Sequence, residues 1–164
     1  MGRGSPESVS RWNWRCLSSL VFTALVFAGC GPEPASLPWL TDFAQAQAQA
    51  RRENKALLME FTGSDWCQPC KNARKYLLET RQFASYASSN LVLLEVDFPH
   101  WTPQTETQKK ANQALQSTYT VEGYPTLILL SPDGTVLGRQ AGMQQTKPAE
   151  LIAWLEDLGR TVPR

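Results

Sequence analysis

Two cysteines, Cys67 and Cys70, stand three positions apart in the stretch Trp66-Cys67-Gln68-Pro69-Cys70-Lys71. At that spacing each sulfur can reach the other, which is what thiol–disulfide exchange needs. The pair falls where an apolar run, Ala56 to Phe61, passes through Thr62-Gly63-Ser64-Asp65 into a helical pattern. A thiol at the start of a helix meets unpaired backbone N–H groups and the positive end of the helix dipole, and both favour the thiolate. Cys67 is expected to be that attacking nucleophile. Cys70, one turn later and on the inner side, is expected to resolve the mixed disulfide and release reduced substrate. The competing use of such a pair is half of a zinc site. Zinc takes four ligands, and past residue 30 the chain adds only His100 and carboxylates to these sulfurs, so no metal is expected.

The other two cysteines lie near the N-terminus and bear on the compartment. Arg11 and Arg15 precede an apolar stretch from Leu17 to Ala28, the order of a secretory signal, and residues 1–29 are read as one. The stretch is shorter than the roughly 20 residues a spanning helix needs. It ends in Phe27-Ala28-Gly29-Cys30, small residues before a cysteine as in the lipobox of bacterial lipoproteins, although Phe27 stands where Leu is usual. Cys16 would leave with the signal and Cys30 would carry lipid. Cys67 and Cys70 then form the only pair in an exported domain, where a lone close pair is suited to cycle rather than to staple. Residues 30–38, rich in Pro, read as an extended tether, and residues 39–164 as the domain. The net charge of +1 gives no electrostatic footprint for nucleic acid, and 42% hydrophobic content suffices for a core.

The elements that must position the pair follow from pattern. Asp42 to Asn54 is rich in Ala, Gln, Arg and Glu and predicts a helix with Phe43, Ala46 and Ala50 inward. Ala56–Phe61 and Leu91–Val96 predict buried strands, separated by a helix beginning near Cys67, with Pro69 in its first turn, and a second helical stretch around Phe83 and Tyr86. A helix over about Glu106–Ser117 comes next. Leu127–Leu130 and Thr135–Arg139 then form a hairpin across Ser131-Pro132-Asp133-Gly134, and a last helix after Pro148 is expected to bury Leu151, Ile152, Leu155 and Leu158. The order implies an α/β domain with a four-stranded mixed sheet, helices on both faces and an additional N-terminal helix.

From Trp39 to Leu158 the chain resembles the thioredoxin family. The resemblance is carried by a strand with an internal acid, Glu60, by Trp66-Cys67-Gln68-Pro69-Cys70-Lys71 at a helix start, by Tyr124-Pro125-Thr126 about 55 residues later, and by a hairpin ending near Gly142. Phe61-Thr62-Gly63-Ser64-Asp65-Trp66-Cys67 and Val96-Asp97-Phe98-Pro99 are similar to the extracytoplasmic, Dsb-type bacterial branch. The resemblance implies a thioredoxin fold and a cis bond between Tyr124 and Pro125, in a loop against the cysteine pair where the backbone of Tyr124 would hold an extended substrate. It implies that Glu60 is the buried acid that takes the proton of Cys70, although the family's thioredoxins carry Asp there and the Gly63 region is one residue longer. Trp66 and Gly142 would flank the substrate cleft. Lys71 needs no role beyond solvation, and His100, a lone loop histidine, is expected to be exposed.

The function implied is a thiol:disulfide oxidoreductase without a cofactor, acting on disulfides of exported proteins. It would be held at the periplasmic side of a bacterial membrane by lipid on Cys30 and recharged by a membrane electron donor. Pro at the second position between the cysteines leans towards a reductase. The alternatives are a disulfide-donating oxidase or isomerase of the same fold, and a non-catalytic binding or metal-handling module.

Overall fold

The computed structural model describes residues 37–160 together with Met1. The segment read as a signal, Cys30 with its proposed lipid, and the tether up to residue 36 lie outside the described residues. Leu37, at the end of the stretch read as tether, already packs against the core.

The described residues form five strands and five α-helices in the order β1 (Trp39–Leu40), α1 (Phe43–Glu53), β2 (Ala56–Thr62), α2 (Gln68–Ala73), a π-helical turn (Arg74–Leu78), α3 (Arg81–Asn90), β3 (Leu91–Asp97), α4 (Glu106–Thr118), β4 (Thr126–Leu130), β5 (Val136–Ala141) and α5 (Pro148–Arg160). The sheet order is β1-β3-β2-β4-β5. The first three strands are parallel, β4 is antiparallel to β2, and β5 is antiparallel to β4. The expected four strands are therefore joined by a fifth. A strand of two residues has no side-chain period to read, and Trp39-Leu40 is a strand only because β3 pairs with it.

Alternation along β2 divides the core between the two sheet faces. Leu57, Met59 and Phe61 point to one side, where Ala46 and Ala50 of α1 close over them with Val92, Leu94, Ile128 and Leu130. Leu58 points to the other, towards Ala73, Leu77, Leu78, Phe83, Leu151 and Leu155. Glu60 lies on this second face, two residues on from Leu58, in a strand whose last six residues are all buried. In α5, Leu151 and Leu155 are buried as expected, whereas Leu158, also expected to be buried, is half-buried and packs on the core with Trp154, and Ile152 stays half-buried outside that contact. Gly138 permits this approach, because a Cβ there would sit 2.3 Å from Leu158 Cδ1.

Helix starts use side-chain caps. Asp42 Oδ1 accepts from the Gln45 amide at 2.7 Å, and Thr80 and Thr105 hydroxyls accept from Phe83 and Gln108. Asn54 ends α1 in the left-handed conformation, with φ of 51°. Among the described residues no helix is long and apolar enough to cross a membrane.

Candidate active site

Strand β2 ends at Thr62, and the chain turns through Gly63-Ser64-Asp65-Trp66 before α2 starts. Cys67 is the N-cap of α2. Its backbone is extended, and its sulfur accepts from the Cys70 amide at 3.2 Å, filling the place that a Ser or Asp oxygen takes in an ordinary cap. Pro69, which has no N–H to lose, occupies the first turn. Cys67 and Cys70 form a disulfide with Cα atoms 5.3 Å apart, Cys67 being 5% exposed and Cys70 1%.

Two carboxylates clamp this turn to the loop that follows β3. Asp97 Oδ1 accepts from the Ser64 amide at 2.8 Å, and the Ser64 hydroxyl donates to Asp97 Oδ2 at 2.6 Å. In the reverse direction, the Asp65 carboxylate accepts from the amides of His100, Trp101 and Thr102 at 2.8–3.0 Å. Some burial pushes the Asp65 carboxyl up, but those backbone N–H groups outweigh it and hold the acid far below its ordinary range. Lys71 Nζ donates to the Asp65 carbonyl at 2.7 Å, so this lysine is tied to the turn rather than free in solvent.

The clamps set an aromatic wall beside the disulfide. The Trp66 indole N–H donates to the Phe98 carbonyl at 2.8 Å, and its ring stacks on His100 with centroids 4.4 Å apart. Tyr124 meets Trp66 edge-on at 6.0 Å and stacks on Phe98 at 5.1 Å. Those two contacts bring the Tyr124-Pro125 segment to the cysteine turn. The Tyr124–Pro125 bond is cis, the Tyr124 hydroxyl accepts from Gln116 Nε2 at 2.9 Å, and the Gly142 amide, at φ of 65°, donates to the Pro125 carbonyl at 3.4 Å. His100 is exposed, as expected of a loop residue, but the stack on Trp66 makes it part of this wall. Trp101 is 73% exposed and packs edge-on against His100 at 5.8 Å.

Beneath the turn, Glu60 is completely buried. Arg74 Nη2 lies 2.8 Å from Glu60 Oε2 as an ion pair, yet it is not aligned as a hydrogen bond, and neither carboxyl oxygen of Glu60 has a hydrogen-bond partner. Burial pushes the Glu60 acid up from 4.5 to about 7 against the pull of Arg74. The same guanidinium hydrogen-bonds Glu95 Oε1 and lies 4.2 Å over the Trp39 ring. Arg74, Glu95 and Trp39 had no marker in the sequence, since nothing local says that a helix arginine, a strand acid and a residue near the N-terminal segment meet. Among the described residues no group of three or more His, Cys, Asp or Glu could hold a metal ion.

The profile of the thioredoxin-like domain family matches residues 43–159, which include the disulfide, the buried Glu60 and the Tyr124-Pro125 loop. The chain belongs to the thioredoxin-like family. Within it, 105 residues are 35% identical to a disulfide bond reductase of Chlamydia pneumoniae, DsbH, over 64% of this chain and 63% of that protein. A thioredoxin-related protein of the same organism, DsbJ, is 34% identical over 96 residues, 58% of this chain and 28% of its own length. The match thus spans less than two thirds of either curated relative. Among solved structures, a DsbH oxidoreductase superposes with a TM-score of 0.72 at 30% identity, over 78% of this chain and 88% of its own. The thioredoxin fold is the one that the family resemblance implied.

Proposed function

We propose that this chain is a thiol:disulfide oxidoreductase working as a reductase on disulfides of exported proteins. The observation that carries the reading is the Cys67–Cys70 disulfide, bridged at the head of α2, with a buried carboxyl on the sheet face below and the cis Tyr124-Pro125 segment alongside. The reducing direction draws on the 35% identity to a protein named disulfide bond reductase.

In the reduced form the Cys70 amide that now caps the bridged sulfur would hydrogen-bond the Cys67 thiolate and stabilise it. Cys67 Sγ attacks one sulfur of the substrate disulfide, forming a mixed disulfide and expelling the other substrate sulfur as a thiolate, which takes a proton from water. Cys70 then gives its proton to the Glu60 carboxylate and attacks Cys67 Sγ. The bond between Cys67 and substrate breaks, and the second substrate thiolate departs with the electron pair. Two electrons have moved from the dithiol to the substrate, and Cys67–Cys70 is a disulfide again. An external dithiol, for which a membrane electron donor is the class expected outside the cytoplasm, restores it by the reverse exchange. Trp66, Tyr124, Pro125 and Gly142 would form the surface that holds the extended substrate, with the Tyr124 backbone pairing to it.

The full chain should reduce insulin disulfides in the presence of a dithiol, and Cys67→Ser should abolish this. Full activity in that variant would overturn the reading. A reduction potential around −270 mV supports the reductase, whereas one around −120 mV reassigns it as an oxidant.

The location is part of the same proposal. Arg11, Arg15, the apolar stretch to Ala28 and Ala28-Gly29-Cys30 support export with lipid on Cys30, which would hold the domain at the periplasmic face of a membrane. The mass of the protein purified from a bacterial membrane fraction should show a chain beginning at an acylated Cys30; a free thiol there refutes the anchor.

A further inference from the structure

Glu60, Arg74 and Glu95 come from two strands and one helix, and they meet on the sheet face that carries α2. Arg74 follows Cys70 by four residues, one helical turn, and its amide donates to the Cys70 carbonyl. Its position is also where α2 widens, since the Glu79 amide reaches back five residues to the Arg74 carbonyl at 2.8 Å. From there the guanidinium extends between a fully buried acid on β2 and a half-buried one at the paired position of β3, Glu60 opposite Glu95 in the parallel register. The Trp39 ring of β1 covers the cation, which limits its access to water and strengthens its effect on both neighbours.

One cation thus serves two carboxylates, and the hydrogen bond goes to Glu95. Glu60 receives the charge but no hydrogen bond. The remaining charged groups acting on Glu60 are acidic: Asp97 on β3 and Glu79 after the π-helical turn, while β4 presents the apolar Leu127 opposite it.

We propose that Arg74 is the positioning residue for proton transfer at the cysteine pair: shared between Glu60 and Glu95, it decides the pH range in which Glu60 is an open carboxylate able to take the proton of Cys70. The inference rests on the oxidoreductase reading above and adds Arg74 and Glu95 to it. The transfer is balanced within the step already described, the proton passing from Cys70 Sγ to Glu60 as Sγ bonds to Cys67 and the substrate thiolate leaves. Without Arg74, desolvation and the acidic neighbours act on Glu60 unopposed and keep its proton on at neutral pH. Without the charge of Glu95, the guanidinium turns wholly to Glu60 and a repelling neighbour is lost, so the proton comes off earlier. The two substitutions therefore act with opposite signs, which loss of packing would not produce.

The test uses the full chain labelled with ¹³C at Glu carboxyls, reduced, with the Glu60 signal assigned by its absence in E60Q. Its titration midpoint should move up by about one pH unit or more in R74M and down in E95Q, with R74K close to the unsubstituted protein. A single-turnover measurement of mixed-disulfide resolution should show R74M about tenfold slower at pH 7, the gap closing as pH rises past the shifted midpoint. Midpoints unmoved in both variants, or moved in the same direction, overturn the proposal. Should R74M fail to fold, E95Q decides, since its side chain is partly exposed and its expected shift is downward. Failure here is distinguishable from failure of the oxidoreductase reading: retained activity in C67S strikes the latter, whereas an unmoved Glu60 titration beside an inactive C67S strikes only the role of Arg74.

Discussion

The Trp66 indole and the His100 imidazole lie face to face, their planes 7° from parallel and their centroids 4.4 Å apart. One ring precedes the cysteine pair, and the other comes from the loop after β3, so the stack joins the residue beside Cys67 to a segment 34 residues away. Removing the imidazole in His100→Ala should leave Trp66 less well held. An aromatic pair is worth roughly 0.5–1.5 kcal/mol beyond area burial, so KM for a protein disulfide should rise by about 2- to 12-fold with kcat little changed. Reduction of a small aromatic disulfide, which does not span the wall, should be unaffected. Steady-state kinetics with the two substrates check this, and equal losses on both would contradict it.

Gly63 allows the indole to lie against the turn. A Cβ at this position would sit 2.5 Å from Trp66 Cε2, far inside contact distance. Gly63→Ala should push the ring off the Phe98 carbonyl, change the tryptophan emission and destabilise the fold by about 1–3 kcal/mol in denaturant melts. An unchanged emission spectrum would mean that the ring has room the structure does not show.

The proton-accepting role proposed for Glu60 carries a cost in stability. Its acid is raised from 4.5 to about 7 in the fold, mainly by burial. An acid with a raised pKa favours the folded state at pH below its unfolded value, and that contribution is lost as pH rises through the folded value. The fold should therefore weaken between about pH 4.5 and 7 and level off above, by up to about 3 kcal/mol. Glu60→Gln removes this dependence and should melt higher than the unsubstituted chain at pH 8, with Arg74 still held by Glu95. The same variant should resolve mixed disulfides more slowly at pH 7. Thermal melts across that pH range check the sign, and a variant less stable at pH 8 would refute it.

Asp65 acts in the opposite sense. Its carboxyl is held low by three backbone amides, so its contribution is present above the unfolded value near 3.9 and is lost as pH falls through the lower folded one. Asp65→Asn should lower the melting temperature at neutral pH, with the difference narrowing in strong acid. It should also free the 100–102 loop, visible as faster amide hydrogen exchange at His100, Trp101 and Thr102. Unchanged exchange at those amides would show that the clamp is not what orders the loop.

Much of the site was legible because its signals are local. Cys67, Pro69 and Cys70 sit within one helical turn, so spacing alone puts the sulfurs in reach, and the apolar runs of β2 and β3 announce themselves without partners. Lys71 and His100 were read as ordinary surface residues for the same reason in reverse. The partner of Lys71, the Asp65 carbonyl, is set by the shape of the turn before α2, and that of His100, the Trp66 ring, by a loop 34 residues away along the chain. The fifth strand was missed because two residues show no alternation, and Ile152 was counted as core because helical spacing does not distinguish the centre of a buried stripe from its margin.

By itself the sequence determined which atoms can do chemistry, two sulfurs one turn apart with an acid in the preceding strand, and the α/β order that carries them, since period and spacing are properties of neighbouring residues. The tertiary structure alone decided how that acid is charged. Pairing β2 with β3 sets Glu60 opposite Glu95, packing α2 on the sheet brings Arg74 between them, and pairing β1 with β3 lays Trp39 over the cation. The protonation of a buried carboxyl depends on charges a few ångströms away in space, and those charges lie 14 and 35 positions away along the chain.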